Sequence, residues 1–177
     1  MNIFFLDTCP VQSAKWQVDK HIVKMPLESA QMLCTAHRVL DGEESIELSK
    51  SNRKIKRWSL NDSFKNVTLY KANHVNHPSA AWVRASYANY MWLYEHFLAL
   101  SVEYESRYGK THKSFLDLRD VLSEAPANIP RWETFSAPPP AMPDEYITED
   151  VVTSYRNYYR YAKSDLHAWK QNKPMWI

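Results

Sequence analysis

A chain of 177 residues, 45% hydrophobic and 24% charged, with a formal net charge of +2, has the composition of one soluble globular domain large enough for a real core. Two glycines against 14% aromatics argue against a sheet-rich fold of tight turns, and no GxGxxG or Walker-type sequence provides a phosphate loop. Two cysteines, Cys9 and Cys34, are too few for a disulfide framework. "MNIFFLDTCP" lacks the basic start of a signal peptide, and no apolar run reaches bilayer-spanning length, so a cytoplasmic protein with reduced thiols is expected.

In chain order, "NIFFL" at 2–6 predicts a brief strand or an extended buried arm. From about Val11 to Leu40 the spacing is helical: Val18, Ile22, Met25, Ser29, Met32, Ala36 and Val39 share a face. Pro26 is expected to kink or break this helix near Met25, and "DG" at 41–42 to stop it. Residues 43–77 read as a long basic loop with a short helix at most. Between Lys50 and Lys71 it carries Lys50, Arg53, Lys54, Lys56, Arg57, Lys65 and Lys71 against a single acid, Asp62. Such a segment suits phosphates, and equally suits a solvated surface.

"HPSAAW" predicts a helix start with Pro78 at its first position. That helix should run to about Arg107 and be capped by Gly109. A shorter helix is expected over Lys113–Ser123. Six prolines between Pro126 and Pro143 mark an extended connector, about 125–147. A last helix should start near Thr148-Glu149-Asp150 and continue through "VVTSYRNYYRYAKSDLHAWKQ", with Trp176 tucked onto the body. The expectation is an all-α, single compact domain of three to four main helices with long loops.

Three groups of residues carry candidate chemistry. In the first helix, His21, Lys24, Glu28, Gln31 and Thr35 fall in a stripe about 80° wide, flanked by Lys20 and Arg38. Either this is the polar side every amphipathic helix has, or it is the floor of a site. Cations around a carboxylate favour its ionised form, suited to stabilising developing positive charge or acting as a base. In "HVNHP", His74 and His77 stand three apart. They could cap a helix or contact phosphate, and they lack the third and fourth ligands of a recognisable metal set. In "SYRNYYRYAKSDLHAWK", Tyr155, Tyr158 and Tyr159 interleave with Arg156, Arg160 and Lys163, as in surfaces that stack on bases, or as in a buried tail.

Taken in order, these pieces resemble the pyrimidine-dimer DNA glycosylases of the phage endonuclease V type. The likeness lies in "DKHIVKMPLE", with its Asp-x-His and a carboxylate two turns on; in "SAQMLCTAHRVLDG"; in the helix start "HPSAAWV"; in "RYGK"; and in the aromatic-basic "YRNYYRYAK". It covers about two thirds of the chain by order and spacing. It implies a compact all-α fold and a repair-type N-glycosylase and abasic-site lyase acting on damaged or modified pyrimidines, in the host cytoplasm if the gene is carried by a phage. The nucleophile would be the α-amine of Met1, attacking sugar C1′ and cutting the strand through an imine. Glu28 would support the amine and the sugar cation, with His21 as its catalytic companion. Lys20, Lys24, Gln31, Arg53, Lys54, Arg57, His77, Arg84, Tyr155, Tyr158, Tyr159 and Arg160 would bind the substrate. No cofactor or metal is implied.

α-Amines titrate near pH 8, leaving a useful neutral fraction at neutral pH. Two departures matter. Asn2 is not a small second residue, so Met1 should be retained as a bulkier amine than the family's processed threonine. Leu27 stands where the family places an arginine before its glutamate. Partners other than double-stranded DNA stay open: a nucleotide or modified base in a helical pocket enzyme, or nucleic acid bound without catalysis.

Overall fold

The computed structural model describes residues 1–177 and is mainly helical, with 49% of residues in seven helices and one two-stranded sheet. The chain opens as an extended arm. Ile3, Phe4, Phe5 and Leu6 are buried without joining any sheet. α1 spans Pro10–Lys15 and α2 spans Asp19–Asp41. The expected single helix is therefore interrupted at Trp16–Val18 rather than at Pro26, which lies inside α2 and is buried. Only the Ile22 carbonyl loses its intrahelical donor there.

The interruption has its own support. Arg107, fully buried, donates to the carbonyls of Lys15 and Gln17, each at 2.9 Å, so the end of α1 is capped by a side chain. The same guanidinium pairs with Asp19 at 2.9 Å and Glu103 at 2.8 Å. Asp19 also accepts the Lys170 N–H at 3.1 Å. The aspartate of the "DKH" triplet is thus an anchor between three chain segments.

Gly42 ends α2 as foreseen, through space rather than backbone freedom. A Cβ there would stand 2.4 Å from the Arg38 carbonyl. The segment that follows is not the expected loop. β1 (Glu43–Leu48) and β2 (Lys54–Ser59) form an antiparallel hairpin in which Glu43 faces Ser59 and Leu48 faces Lys54. Every residue of β1 is exposed, so no alternating buried face marks it in the sequence. α3 (Ser63–Thr68) follows, capped by the Asp62 carboxylate.

α4 (Pro78–Val83) begins at the predicted Pro78, with His77 as its cap. It stops at Arg84, and Ser86 caps a new helix, α5 (Tyr87–Tyr108). Gly109 closes α5 in the left-handed region, φ 65°. α6 (Lys113–Leu118) is shorter than expected, and the proline-rich connector wraps the surface irregularly. α7 (Val151–Asn157) starts at the Asp150 cap, then loosens into a π-helical turn at Tyr158–Ala162 and a 3-10 turn at Ser164–Leu166. Trp176 folds back against Trp16, 5.9 Å between ring centroids.

The core lies where α2 crosses α5, closed by α1, α4 and the arm, with Ile22, Met32, Leu33, Leu93, Phe97 and Leu100 fully buried. Each such side chain contributes roughly 1.5–3 kcal/mol through burial. Cys9 is exposed and Cys34 buried, both free. No helix is long and apolar enough to cross a membrane.

Candidate active site

A cleft of about 540 Å³ opens over the N-terminal half of α2, within the size range of small-molecule sites. Its lining joins the start of the chain (Met1, Asn2, Phe4), α2 (Lys20, His21, Lys24, Met25, Glu28), Ala141 of the connector, and Tyr158, Lys163 and Leu166 of the tail. Met1, Lys20, His21, Lys24, Glu28 and Tyr158, all singled out from the sequence, meet here.

Glu28 sits at the junction. One carboxylate oxygen accepts the Asn2 backbone N–H at 3.1 Å, and the other pairs with Lys24 Nζ at 2.9 Å. The Glu28 side chain is 12% exposed and that of Lys24 67%, so the pair adds at most about 1 kcal/mol of stability. Its larger consequence is position: the first peptide of the chain is tied to Glu28. Asn2 fixes that peptide further. Its Oδ1 accepts the N–H groups of Ile3 and Phe4 at 2.8 and 2.9 Å, and its Nδ2 donates to the Ala141 carbonyl at 2.8 Å. Phe4 is held at φ 54°, a strained conformation for a bulky residue of the kind that clusters at functional sites.

His21 is buried, stacked on Phe4 at 4.2 Å. Its Nδ1 lies 2.6 Å from the Tyr159 hydroxyl, which accepts the Val18 N–H at 3.0 Å. The phenol O–H is therefore assigned as the donor to His21 Nδ1, leaving Nε2–H free to donate. Burial, then the charges of Lys163 and Lys24, push the imidazole pKa down to about 3. His21 is a neutral hydrogen-bond donor and a wall of the cleft.

His77 is disposed in the same way. Its Nδ1 accepts the Ser79 N–H at 3.2 Å as the cap of α4, so its proton is assigned to Nε2. Its pKa is lowered by burial, then by the N-terminal ammonium and His74, while Glu28 opposes the shift. His77 thus lies within electrostatic reach of both the α-amine and Glu28. With both imidazoles neutral, Lys20, Lys24, Lys163 and the α-ammonium surround a single acid, so the cleft favours an anionic ligand.

The remaining predicted residues are placed elsewhere. Gln31 is half-buried one turn beyond Glu28. Further along the stripe, Thr35 bonds Asn73 and Arg38 donates to five acceptors between Trp58 and Tyr70, so this end of it is structural. Arg84 holds the Val75 carbonyl at 2.8 Å. Tyr155 is fully buried, its hydroxyl taking the Ala141 N–H at 3.2 Å and donating to the Pro139 carbonyl at 3.2 Å. Tyr159 is fully buried beneath His21. Arg160 is engaged by the Trp176 carbonyl, its Nε at 3.0 Å. None of these side chains lines the cleft. Arg53, Lys54 and Arg57 lie on the hairpin.

Sequence reasoning did not find Asn2, Phe4, Ala141 or Leu166, and it named Lys163 only as part of the aromatic-basic tail. The π-helical turn brings Tyr158 and Lys163 to the cleft together, Lys163 Nζ lying 4.7 Å from the Tyr158 ring centre, and π turns are frequent at functional sites. No protein-family model, curated protein or solved structure matches the chain.

Proposed function

We propose that the protein is a DNA N-glycosylase with abasic-site lyase activity, acting on a damaged or modified pyrimidine. The observation that carries this reading is that Met1 and Glu28 line one cationic, aromatic-walled cleft, with the first peptide of the chain bonded to the Glu28 carboxylate. The neutral amine forms a bond to sugar C1′ as the glycosidic bond breaks and its electron pair leaves with the base. The attached nitrogen gives up a proton and the ring oxygen takes one as the C1′–O4′ bond breaks, which opens the sugar and leaves an imine. Removal of a C2′ proton then expels the 3′ phosphate and cuts the strand. Glu28 stabilises positive charge at the sugar, a contribution of several kcal/mol in a site shielded from water. The Nε2–H groups of His21 and His77 suit oxygen atoms of the base or phosphate. Extruding the nucleotide costs a few kcal/mol, offset by lysine contacts to phosphate.

The direct test is incubation with duplexes containing an abasic site, a thymine dimer or no lesion, with the ends of the cut strand analysed. Glycosylase/lyase action yields an unsaturated aldehyde at the 3′ end, absent with Glu28→Gln. Intact strands from a folded protein that binds these duplexes would refute the catalytic assignment.

A second reading has its own support. Phe4 and Tyr158 lie nearly parallel beside three lysines, a combination suited to a free nucleotide. A rise in melting temperature with nucleoside monophosphates, without strand cleavage, would favour it.

A further inference from the structure

The hairpin between α2 and α3 plays no part in the cleft, and its charge is unevenly placed. Along its strands, Lys56 pairs with Glu44 at 2.8 Å and Arg57 approaches Glu47 at 3.8 Å. At its tip, Lys50, Arg53 and Lys54 have no acidic partner, and no acid occurs between Leu48 and Lys54. Ile46 and Leu48 are 66% and 65% exposed and sit opposite Lys56 and Lys54, so one face alternates apolar and cationic side chains. No third strand joins the ribbon. Six residues per strand make it about 20 Å long, and a two-stranded ribbon of this kind fits the major groove of duplex DNA, about 12 Å wide.

The chain after the hairpin links it to the cleft. Arg57 and Lys71 line one shallow pocket beside Arg38. From there residues 69–77 run back along α2. Arg38 holds the Tyr70 carbonyl, Thr35 meets Asn73, and His77 reaches the field of Glu28. The hairpin root and the cleft therefore lie along the same side of α2. The interval from Glu28 to Asp41 corresponds to about 20 Å of helix, or roughly six base-pair steps.

From this we infer that the β1–β2 hairpin is a second DNA-contacting element, a basic ribbon that engages the duplex about half a turn from the nucleotide held in the cleft. The inference rests on the nucleic-acid reading above. It assigns the hairpin to duplex affinity and leaves bond breaking to the cleft. The cations at the tip meet phosphates, while Ile46 and Leu48 contact sugars or thymine methyl groups.

The experiment compares the full chain with a Lys50→Gln/Arg53→Gln/Lys54→Gln variant. All three positions are exposed, so the fold should be unchanged by circular dichroism and melting. Binding to an undamaged 20-base-pair duplex is followed by anisotropy across a salt series, and borohydride trapping is measured on a short single-stranded abasic oligonucleotide that spans only the cleft. The inference predicts about tenfold or greater loss of duplex affinity and a fall of about 2–3 in the salt slope, near 0.9 for each phosphate that is no longer neutralised, with single-strand trapping unchanged. Equal affinity and slope for the two proteins would overturn it, as would a hairpin-dependent change in oligomeric state without any duplex binding. Duplex binding that depends on the hairpin, without trapping by either protein, would uphold this inference and refute the lyase reading instead.

Discussion

Lowering the pH from 7 to 5 should weaken the fold steeply, because three histidines are buried in neutral form. His21 is pushed down to about 3, and His37 and His96 each to about 4, by burial above all. The hydrogen bonds agree. His96 Nδ1 faces the Pro10 carbonyl at 2.9 Å, and its Nε2 receives the Gln17 amide at 3.2 Å, so a second proton would set two donors against each other. His37 Nε2–H points to Tyr90, whose hydroxyl donates to the Leu122 carbonyl.

In the unfolded chain each histidine titrates near its ordinary value of 6.5. The unfolded state therefore binds more protons between the folded and unfolded values, and stability falls as pH falls through 6.5 toward 4. At pH 5 each histidine costs about 2 kcal/mol relative to pH 7, or roughly 6 kcal/mol for the three. That is comparable to the whole stability of many domains, about 5–15 kcal/mol. Urea unfolding at pH 7, 6 and 5 measures the slope directly. His37→Gln keeps a donor for Tyr90 and should reduce the slope by about one third. A flat profile from pH 7 to 5, or the same slope in His37→Gln, would refute the reasoning.

Other substitutions separate the framework from the chemistry. Glu28→Gln retains an acceptor for the Asn2 N–H and loses only a weak ion pair, so stability should change by about 1 kcal/mol or less while strand cleavage falls at least about a hundredfold; melting and single-turnover kinetics read the two. Arg107→Leu strips the α1–α2 junction of its cap and leaves Glu103 and Asp19 without their guanidinium, which should cost about 3–5 kcal/mol in urea unfolding. Tyr159→Phe removes the hydroxyl shared by Val18 and His21, with an expected loss of about 1–3 kcal/mol and a rise in the His21 pKa visible by NMR. Asn2→Ala frees the first peptide, so trapping should drop more than DNA binding does.

The parts of the fold visible in the sequence are those written in local chemistry. The Pro78 start, the Asp150 cap and the Gly109 stop each depend on a few neighbouring residues, and the His21–Glu28 spacing placed both on one helix line. The break at Trp16–Val18 was hidden because its support comes from Arg107, 90 residues or more along the chain from the carbonyls it caps. The tolerance of Pro26 was hidden because burial in the core outweighs one missing hydrogen bond. The hairpin left no amphipathic signature because β1 buries nothing. In the aromatic tail, tyrosines that read as a stacking surface are divided by the π turn: Tyr155 and Tyr159 point into the core, and Tyr158 faces the cleft. Asn2 reaches the site only through the tertiary fold and carries no local mark of it.

The most direct measurement for the central claim is borohydride trapping of the protein on an abasic duplex, followed by peptide mapping of the adduct by mass spectrometry. The account predicts a single covalent attachment at the α-amine of Met1, lost in Glu28→Gln and retained in Lys24→Gln. Attachment at Lys24 instead, or no adduct from a folded protein bound to the duplex, would contradict it.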